Sequence, residues 1–298
     1  MVGYGVILLS LSLIHPFGFN WFKPELLLTE SYLGVQKWQF GLLLLTLIVY
    51  LYTQKPLVLL LLLISYAPPA PIPQPAPQTM ALISTHISVE QKWNPKMIPQ
   101  TNEALLATIE KAIQAKKEIV ILPESVFPLF LNYEHTLFQR LQTLAKKITI
   151  VTGGLYWDGK TPKNSTYIFH PNGKVTLAHK VLLVPFGEAN PLPDFLSHWV
   201  NKIFYDGAVD YKAEKHLTDY TINGITYRNA ICFEATSEKL YTPTPKQMIV
   251  LSNNGWFTPS IEPTLQSLLL RYYHKKYGTT IYHSVNGSSS YMIASSKN

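Results

Sequence analysis

The sequence predicts an α/β domain with a layered sheet, preceded by two to three hydrophobic membrane helices. Strand-like and helix-like segments alternate from residue 79 onward, and leucine-rich runs lie before residue 67. Between them, the segment 67–77 contains six prolines, a density that blocks helix and sheet and favours an extended spacer. We therefore predict membrane segments in residues 1–67, a proline-rich linker at 68–77 and a large α/β domain at 78–298.

Three apolar runs occupy the first part, and we predict membrane segments at about 4–16, 39–53 and 56–67. Each run is shorter than the roughly 20 apolar residues that span a bilayer. A buried helical hairpin is therefore an alternative and, for the first run, so is a signal peptide. No basic residue precedes the first run, which argues against a signal peptide. The leucine runs have no polar face, and interfacial aromatic residues flank them, namely Trp38, Tyr50, Tyr52 and Tyr66.

Charge is concentrated downstream of these runs. Residues 79–298 hold twenty-two of the Lys and Arg residues and sixteen of the acidic ones, and this excess of base mildly favours an anionic lipid surface. If Lys55 marks a cytoplasmic turn, the positive-inside rule places the large domain on the extracytoplasmic side.

The domain begins with two strand–helix units. Strands are predicted at 80–84, 118–122 and 148–151, and helices at 102–117 and 133–147. The strand at 148–151 is expected to end at Gly153 and Gly154. Repeated strand–helix units favour an α/β layered sheet.

The later part is richer in strands. Turn signals at Asn172-Gly173 and Asn223-Gly224 predict two hairpins, the first joining 165–169 to 174–177 and the second leading into a strand at 225–231. A buried strand at 248–251 and a helix at 263–273 follow. The nine histidines are scattered, so the sequence predicts neither a metal site nor a cofactor.

Three chemically capable residues each follow a strand-like run: Glu124, Lys180 and Cys232. Because strand ends at one edge of a sheet converge, residues about fifty apart in sequence can meet there. Cys232 is the only cysteine and cannot form an internal disulfide. Each residue also has an ordinary interpretation: a carboxylate at a helix start, a solvated lysine and a core cysteine.

Five sequence blocks resemble a known family. Pro123-Glu124-Ser125, the segment 179–188 and Ile231-Cys232-Phe233-Glu234 resemble the signature blocks of the nitrilase (carbon-nitrogen hydrolase) superfamily. The end of the second of these blocks, 184–188, resembles the apolipoprotein N-acyltransferase branch of that superfamily. Two further blocks, 92–95 and 252–257, resemble the same branch. The resemblance covers about residues 78–293 and implies a nitrilase-like α-β-β-α sandwich.

The resemblance also implies roles for individual residues. Cys232 would be the nucleophile, Glu124 the general base and Lys180 the group that stabilises the oxyanion. Glu188, Glu234 and Phe233 would support this site, although both carboxylates could equally be ordinary loop residues. Phe233 stands where the branch usually has tyrosine. Trp93, Trp256 and Phe257 match substrate- or lipid-facing positions, but core aromatics would look the same from sequence.

The implied reaction moves a fatty acyl chain from a phospholipid, through a Cys232 thioester, to the N-terminal amine of a diacylglyceryl-cysteine apolipoprotein. The implied partners are the phospholipid donor, the apolipoprotein acceptor and the bilayer, with no nucleic acid and no cofactor. The implied location is the bacterial cytoplasmic (inner) membrane.

Two other interpretations stay open. An amidase acting on a small substrate would use the same three residues and release an acid to water. Members of the branch normally have further membrane helices upstream, and a strand pair and a membrane helix downstream, so we expect a chain shortened at both ends. That expectation also leaves room for an inactive truncated membrane homologue.

Overall fold

Two sheets stacked face to face form the centre of the domain. The computed structural model describes residues 2–14, 21–185, 187–188, 211–257 and 259–295. Residues 15–16 of the first predicted membrane segment and Phe186 of the family block lie outside this description.

The first sheet has the strand order β1-β2-β4-β5-β6, with β3 also paired to β4. Its strands are β1 (Met80–Leu82), β2 (Ile119–Ile121), β3 (Phe127–Phe130), β4 (Thr149–Trp157), β5 (Pro162–Phe169) and β6 (Val175–His179). Strands β1, β2 and β4 are parallel, whereas β5 and β6 form the antiparallel hairpin that the sequence predicts.

The second sheet has the order β11-β10-β9-β8-β7. Its strands are β7 (Asp219–Ile222), β8 (Ile225–Ile231), β9 (Gln247–Asn253), β10 (Thr280–Asn286) and β11 (Tyr291–Ile293). Strands β8, β9 and β10 are parallel. The turn between β7 and β8 places both Asn223 (φ 50°) and Gly224 (φ 78°) in the left-handed region, as a tight hairpin requires.

The α-helices of the described residues are α1 (Val2–Leu13), α2 (Lys37–Thr53), α3 (Val89–Trp93), α4 (Ile98–Gln114), α5 (His135–Ala145) and α6 (Glu262–Tyr277). Helices α4 and α5 pack on the first sheet, and α6 packs on the second. Apolar side chains such as Val151 and Leu251 fill the space between the sheets. The predicted α-β-β-α layering is therefore confirmed.

The hydrophobic segments differ in part from the prediction. Helices α1 and α2 fall on the first two predicted runs, but the third is a 3-10 helix at Pro56–Ser65. Across the described ranges, no helix combines the length and the apolar character needed to cross a membrane.

The prediction that a strand ends at Gly153 is wrong, because β4 continues through both glycines to Trp157. A Cβ atom at Gly153 would lie 2.3 Å from the backbone nitrogen of Ser125. Glycine therefore leaves room here for a neighbouring loop and does not end the strand.

Strands β3, β10 and β11 were not predicted.

Candidate active site

The three predicted residues lie around one pocket at the ends of strands. Glu124 follows β2, Lys180 follows β6 directly and Cys232 follows β8 directly. The pocket has a volume of about 460 Å³, and all three residues line it. The expectation that strand ends bring these side chains together is therefore met by the geometry.

Cys232 begins a 3-10 helix (Cys232–Thr236) and has φ of 54°. A positive φ is uncommon for a residue with a side chain, and it turns the chain sharply after β8. The thiol is buried, and Nε2 of Gln266 on α6 lies 3.8 Å from its Sγ atom. Burial and the charge of Glu124 raise the pKa of the Cys232 thiol. Lys180 lowers this pKa, but its effect is smaller than theirs. The resting thiol is therefore protonated at neutral pH and needs a base.

Lys180 is a buried cation held between two carboxylates. Its Nζ atom lies 2.7 Å and 2.9 Å from the two oxygens of Glu188, and 3.7 Å from Oε1 of Glu124. Burial alone lowers the pKa of Lys180, but the negative charges of Glu188 and Glu124 raise it overall. The ammonium therefore stays charged.

Asn164, on β5, joins the two carboxylates and was missed by the sequence reasoning. Its Nδ2 atom donates to Oε1 of Glu124 at 2.7 Å and to Oε1 of Glu188 at 3.1 Å. The only signal in the sequence was a polar residue directly before the strand-like run 165–169. Asn164 thus orients the Glu124 carboxylate.

Glu188 and Glu234 hold the loop that carries Lys180. Glu188 accepts a hydrogen bond from the backbone of Val184 at 2.9 Å. Glu234 accepts from Val181 at 2.7 Å, Leu182 at 3.1 Å and Ile231 at 2.8 Å. Burial raises the pKa of Glu234 to about 7, against the opposing effect of Lys180 and these N–H groups. Glu234 thereby links the segment after Lys180 to the strand before Cys232.

The predicted aromatic residues separate into two groups. Phe233 packs into the core of the second sheet, where its ring lies 6.2 Å from that of Trp21. Trp93, Trp256 and Phe257 line the pocket and are 42%, 57% and 41% exposed. These three therefore form an apolar mouth.

Further pocket residues had no predicted role, among them Lys92 and Tyr211. Lys92 belongs to the family block at 92–95, and Tyr211 lies where the described chain resumes.

Among the described residues, no group of His, Cys, Asp and Glu has an arrangement that could hold a metal ion. A protonated thiol beside a carboxylate and a fixed cation can attack a carbonyl carbon and form a thioester.

The fold is that of the nitrilase superfamily. The chain is similar to a solved carbon-nitrogen hydrolase superfamily protein from Xanthomonas campestris, with TM-score 0.52 and 13% identity, covering 71% of this chain and 78% of that one. It is also similar to a mutant nitrilase-superfamily amidase from Nesterenkonia, with TM-score 0.52 and 12% identity, covering 72% and 78%. The implied nitrilase-like sandwich is thus confirmed.

Sequence comparison identifies the branch. A family model described as the apolipoprotein N-acyltransferase integral membrane domain matches residues 4–68. An apolipoprotein N-acyltransferase from Wolinella succinogenes is 43% identical over 97% of this chain and 71% of its own length. Another, from Helicobacter pylori, is 36% identical over 97% of this chain and 69% of its own. The chain belongs to the apolipoprotein N-acyltransferase family.

Proposed function

We propose that this protein transfers a fatty acyl chain from a membrane phospholipid to the N-terminal amine of a diacylglyceryl-cysteine apolipoprotein, through a thioester on Cys232. The observation that carries the proposal is the grouping of Glu124, Lys180 and Cys232 around one pocket with an aromatic mouth. Family membership supports the same reaction.

In the first step, Sγ of Cys232 attacks the ester carbonyl of the phospholipid while Glu124 takes the thiol proton. The ammonium of Lys180 stabilises the negative oxygen of the tetrahedral intermediate. The C–O bond then breaks, and Glu124 returns the proton to the departing glycerol oxygen. The products are a lysophospholipid and the acyl thioester.

In the second step, the free amine of the apolipoprotein attacks the thioester carbonyl. Glu124 takes a proton from the attacking nitrogen, Lys180 again stabilises the oxyanion, and the C–S bond breaks. The thiolate of Cys232 regains its proton from Glu124. The product is an amide, and the site is ready for another cycle.

The supporting residues keep this arrangement rigid. Glu188 holds Lys180, and Glu234 fixes the backbone on both sides of the site. Trp93, Trp256 and Phe257 would contact the acyl chains at the mouth. The ring of Phe233 fills the core of the second sheet.

The proposed location is the bacterial cytoplasmic membrane, with the catalytic domain at 78–298 on the extracytoplasmic side. Residues 1–67 would form its membrane part and 68–77 its linker. Both substrates are anchored in that leaflet, so a pocket held against it meets them at high effective concentration.

The proposal is tested by expressing the protein in cells depleted of their own N-acyltransferase and analysing a lipoprotein N-terminus by mass spectrometry. We expect an acylated amine with the wild type and a free amine with Cys232→Ala. A labelled phospholipid should likewise leave label on the wild-type protein and not on the variant. A free amine with well-expressed wild type, or amide hydrolysis without any lipid, would contradict the proposal.

A further inference from the structure

Lys92 is a buried ammonium group beside the proposed nucleophile. It lies near the end of α3, is 5% exposed and lines the same pocket as Cys232. Its Nζ atom donates one long hydrogen bond, 3.5 Å, to the backbone oxygen of Glu124. Burial lowers the pKa of Lys92 to about 8, while the nearby charges of Glu124 and Cys232 oppose that effect. The group therefore remains largely protonated at neutral pH.

The two lysines of the pocket differ in their partners. Lys180 is held by Glu188 and Glu124, whereas no carboxylate oxygen of the described residues lies within 4.0 Å of the Lys92 nitrogen. A buried charge without a partner costs several kcal/mol, and an anionic ligand would remove much of that cost. Within the part of the chain that the structure describes, this long bond to Glu124 is the one hydrogen bond of the Lys92 ammonium, so its other N–H groups can donate to a ligand.

The surroundings of Lys92 indicate what kind of anion would fit. The indole of Trp93 lies 6.0 Å from the Lys92 nitrogen, and the exposed faces of Trp256 and Phe257 line the same pocket. A cation beside an apolar mouth suits a ligand that carries one negative group next to long hydrocarbon chains. A phospholipid has this composition, because a glycerophospholipid carries a phosphate on the same glycerol as its acyl ester bonds.

We propose that Lys92 binds the phosphate of the acyl donor and so places the ester carbonyl before Cys232. This inference rests on the proposed function and assigns the donor, not the acceptor, to this part of the pocket. The amine acceptor carries positive charge before it reacts, so an ammonium group would repel it. Lys180 remains free to stabilise the oxyanion because the phosphate has its own partner.

A different role for Lys92 makes a different prediction. If its charge acted on the Cys232 thiolate or on Glu124, a substitution would slow every acyl donor by the same factor. If it binds phosphate, the loss should depend on whether the donor carries phosphate. Two donors with the same acyl chain therefore separate the roles.

The experiment follows a single turnover of full-length Lys92→Met in detergent micelles, with formation of the labelled thioester as readout. One donor is a phospholipid, and the other is the p-nitrophenyl ester of the same fatty acid, which has no phosphate. We expect the loss of rate with the phospholipid to exceed the loss with the ester at least tenfold. Lys92→Arg, which keeps the charge, should recover most of the rate with phospholipid.

Two comparisons make the result decisive. Lys96→Met removes an exposed lysine four residues along the same segment and should slow neither donor. If Lys92→Met does not fold, Lys92→Gln, which keeps a donor for the Glu124 carbonyl, takes its place in the assay. Equal losses with both donors, or no loss with either, would overturn the assignment of Lys92. Absence of any thioester in the wild type would instead contradict the proposed function.

Discussion

At the scale of single residues, the charge state of Cys232 follows from its surroundings. Burial and the negative charge of Glu124 raise the pKa of the thiol, so the nearby Lys180 does not by itself produce a thiolate. The positive charge of Lys180 favours the thiolate, but burial and Glu124 outweigh its effect. A thiol that stays protonated at rest is protected from unwanted reactions until a substrate and the base act together.

Glu262, the first residue of α6, is a second unusual carboxylate near this site. It is buried, and neither of its oxygens has a hydrogen-bond partner within the part of the chain that the structure describes. One helical turn later, Gln266 contacts the Cys232 sulfur, so both residues lie on the same face of α6. Burial and the charge of Glu124 raise the pKa of Glu262 to about 7.

Glu262→Gln should therefore change stability in a pH-dependent way. The folded pKa of Glu262 is raised, so keeping this group uncharged costs nothing below the pKa of the unfolded chain. The cost grows as pH rises toward about 7 and is constant above it. Denaturant unfolding in detergent measures the effect. Between pH 5 and pH 8, the free energy of unfolding of the variant should rise by on the order of 2 kcal/mol relative to that of wild type. Glu110→Gln removes an exposed carboxylate and should show no such trend; a pH-independent effect of Glu262→Gln would contradict the prediction.

At the scale of elements, the sequence predicted most strands and helices because their apolar patterns are regular and their turns carry Asn-Gly signals. It missed β10, whose run includes His283, Ser284 and Asn286, because these buried polar residues break the apolar pattern. Their partners come from distant segments: Ser284, for instance, donates to the backbone of Ile83 and Ile121. No local pattern reveals such long-range hydrogen bonds.

Some residues of the candidate site could likewise be predicted from local sequence, and others could not. Glu124, Lys180 and Cys232 could be predicted because each follows a strand within a family block. Asn164 and Gln266 could not, since their positions depend on how two sheets and a helix meet. The role of Gly153 was also hidden, because a glycine that ends a strand and one that admits a loop look alike in sequence.

Gly153→Ala should displace the loop that carries Glu124. The added Cβ would lie 2.3 Å from the nitrogen of Ser125 and 2.7 Å from Cα of Glu124, and these backbone atoms cannot move aside without shifting the loop. We expect a loss of stability of about 2–4 kcal/mol and a fall in thioester formation of at least tenfold. Thermal unfolding and a labelled-phospholipid assay measure the two effects.

The neighbouring glycine provides a matched control for this substitution. A Cβ atom at Gly154 would meet Leu131 and Tyr167 side-chain atoms at 3.4 Å, which is ordinary contact. Gly154→Ala should therefore retain thioester formation within a few-fold of wild type. Equal effects of the two substitutions would mean that close approach of the Glu124 loop is not what requires glycine at 153.

At the scale of the whole molecule, the segment before α2 contacts the 3-10 helix that begins at Cys232. Trp21 donates from Nε1 to the hydroxyl of Thr236 at 2.7 Å, and Thr236 closes the 3-10 helix that Cys232 begins. Leu26 and Val35 pack with α6 in the core of the second sheet. The chain next to the hydrophobic segments is thus packed against the second sheet, so a movement of either one would displace the other.

Lys275→Met should loosen this connection without unfolding the sheets. The Lys275 ammonium on α6 donates to the backbone oxygens of Leu28, Thr29, Ser31 and Leu33, at distances from 2.8 to 3.3 Å. Methionine keeps the apolar stem but leaves these half-buried carbonyls without that donor, at a cost of about 1–3 kcal/mol. Hydrogen exchange should therefore speed up in the amides of 24–35 and stay unchanged in β9, because local opening affects only the segment that lost its partners. Lys174→Met, an exposed change on the β5–β6 turn, should alter neither region. Equal acceleration in β9 would show that Lys275 supports the whole domain rather than this one segment.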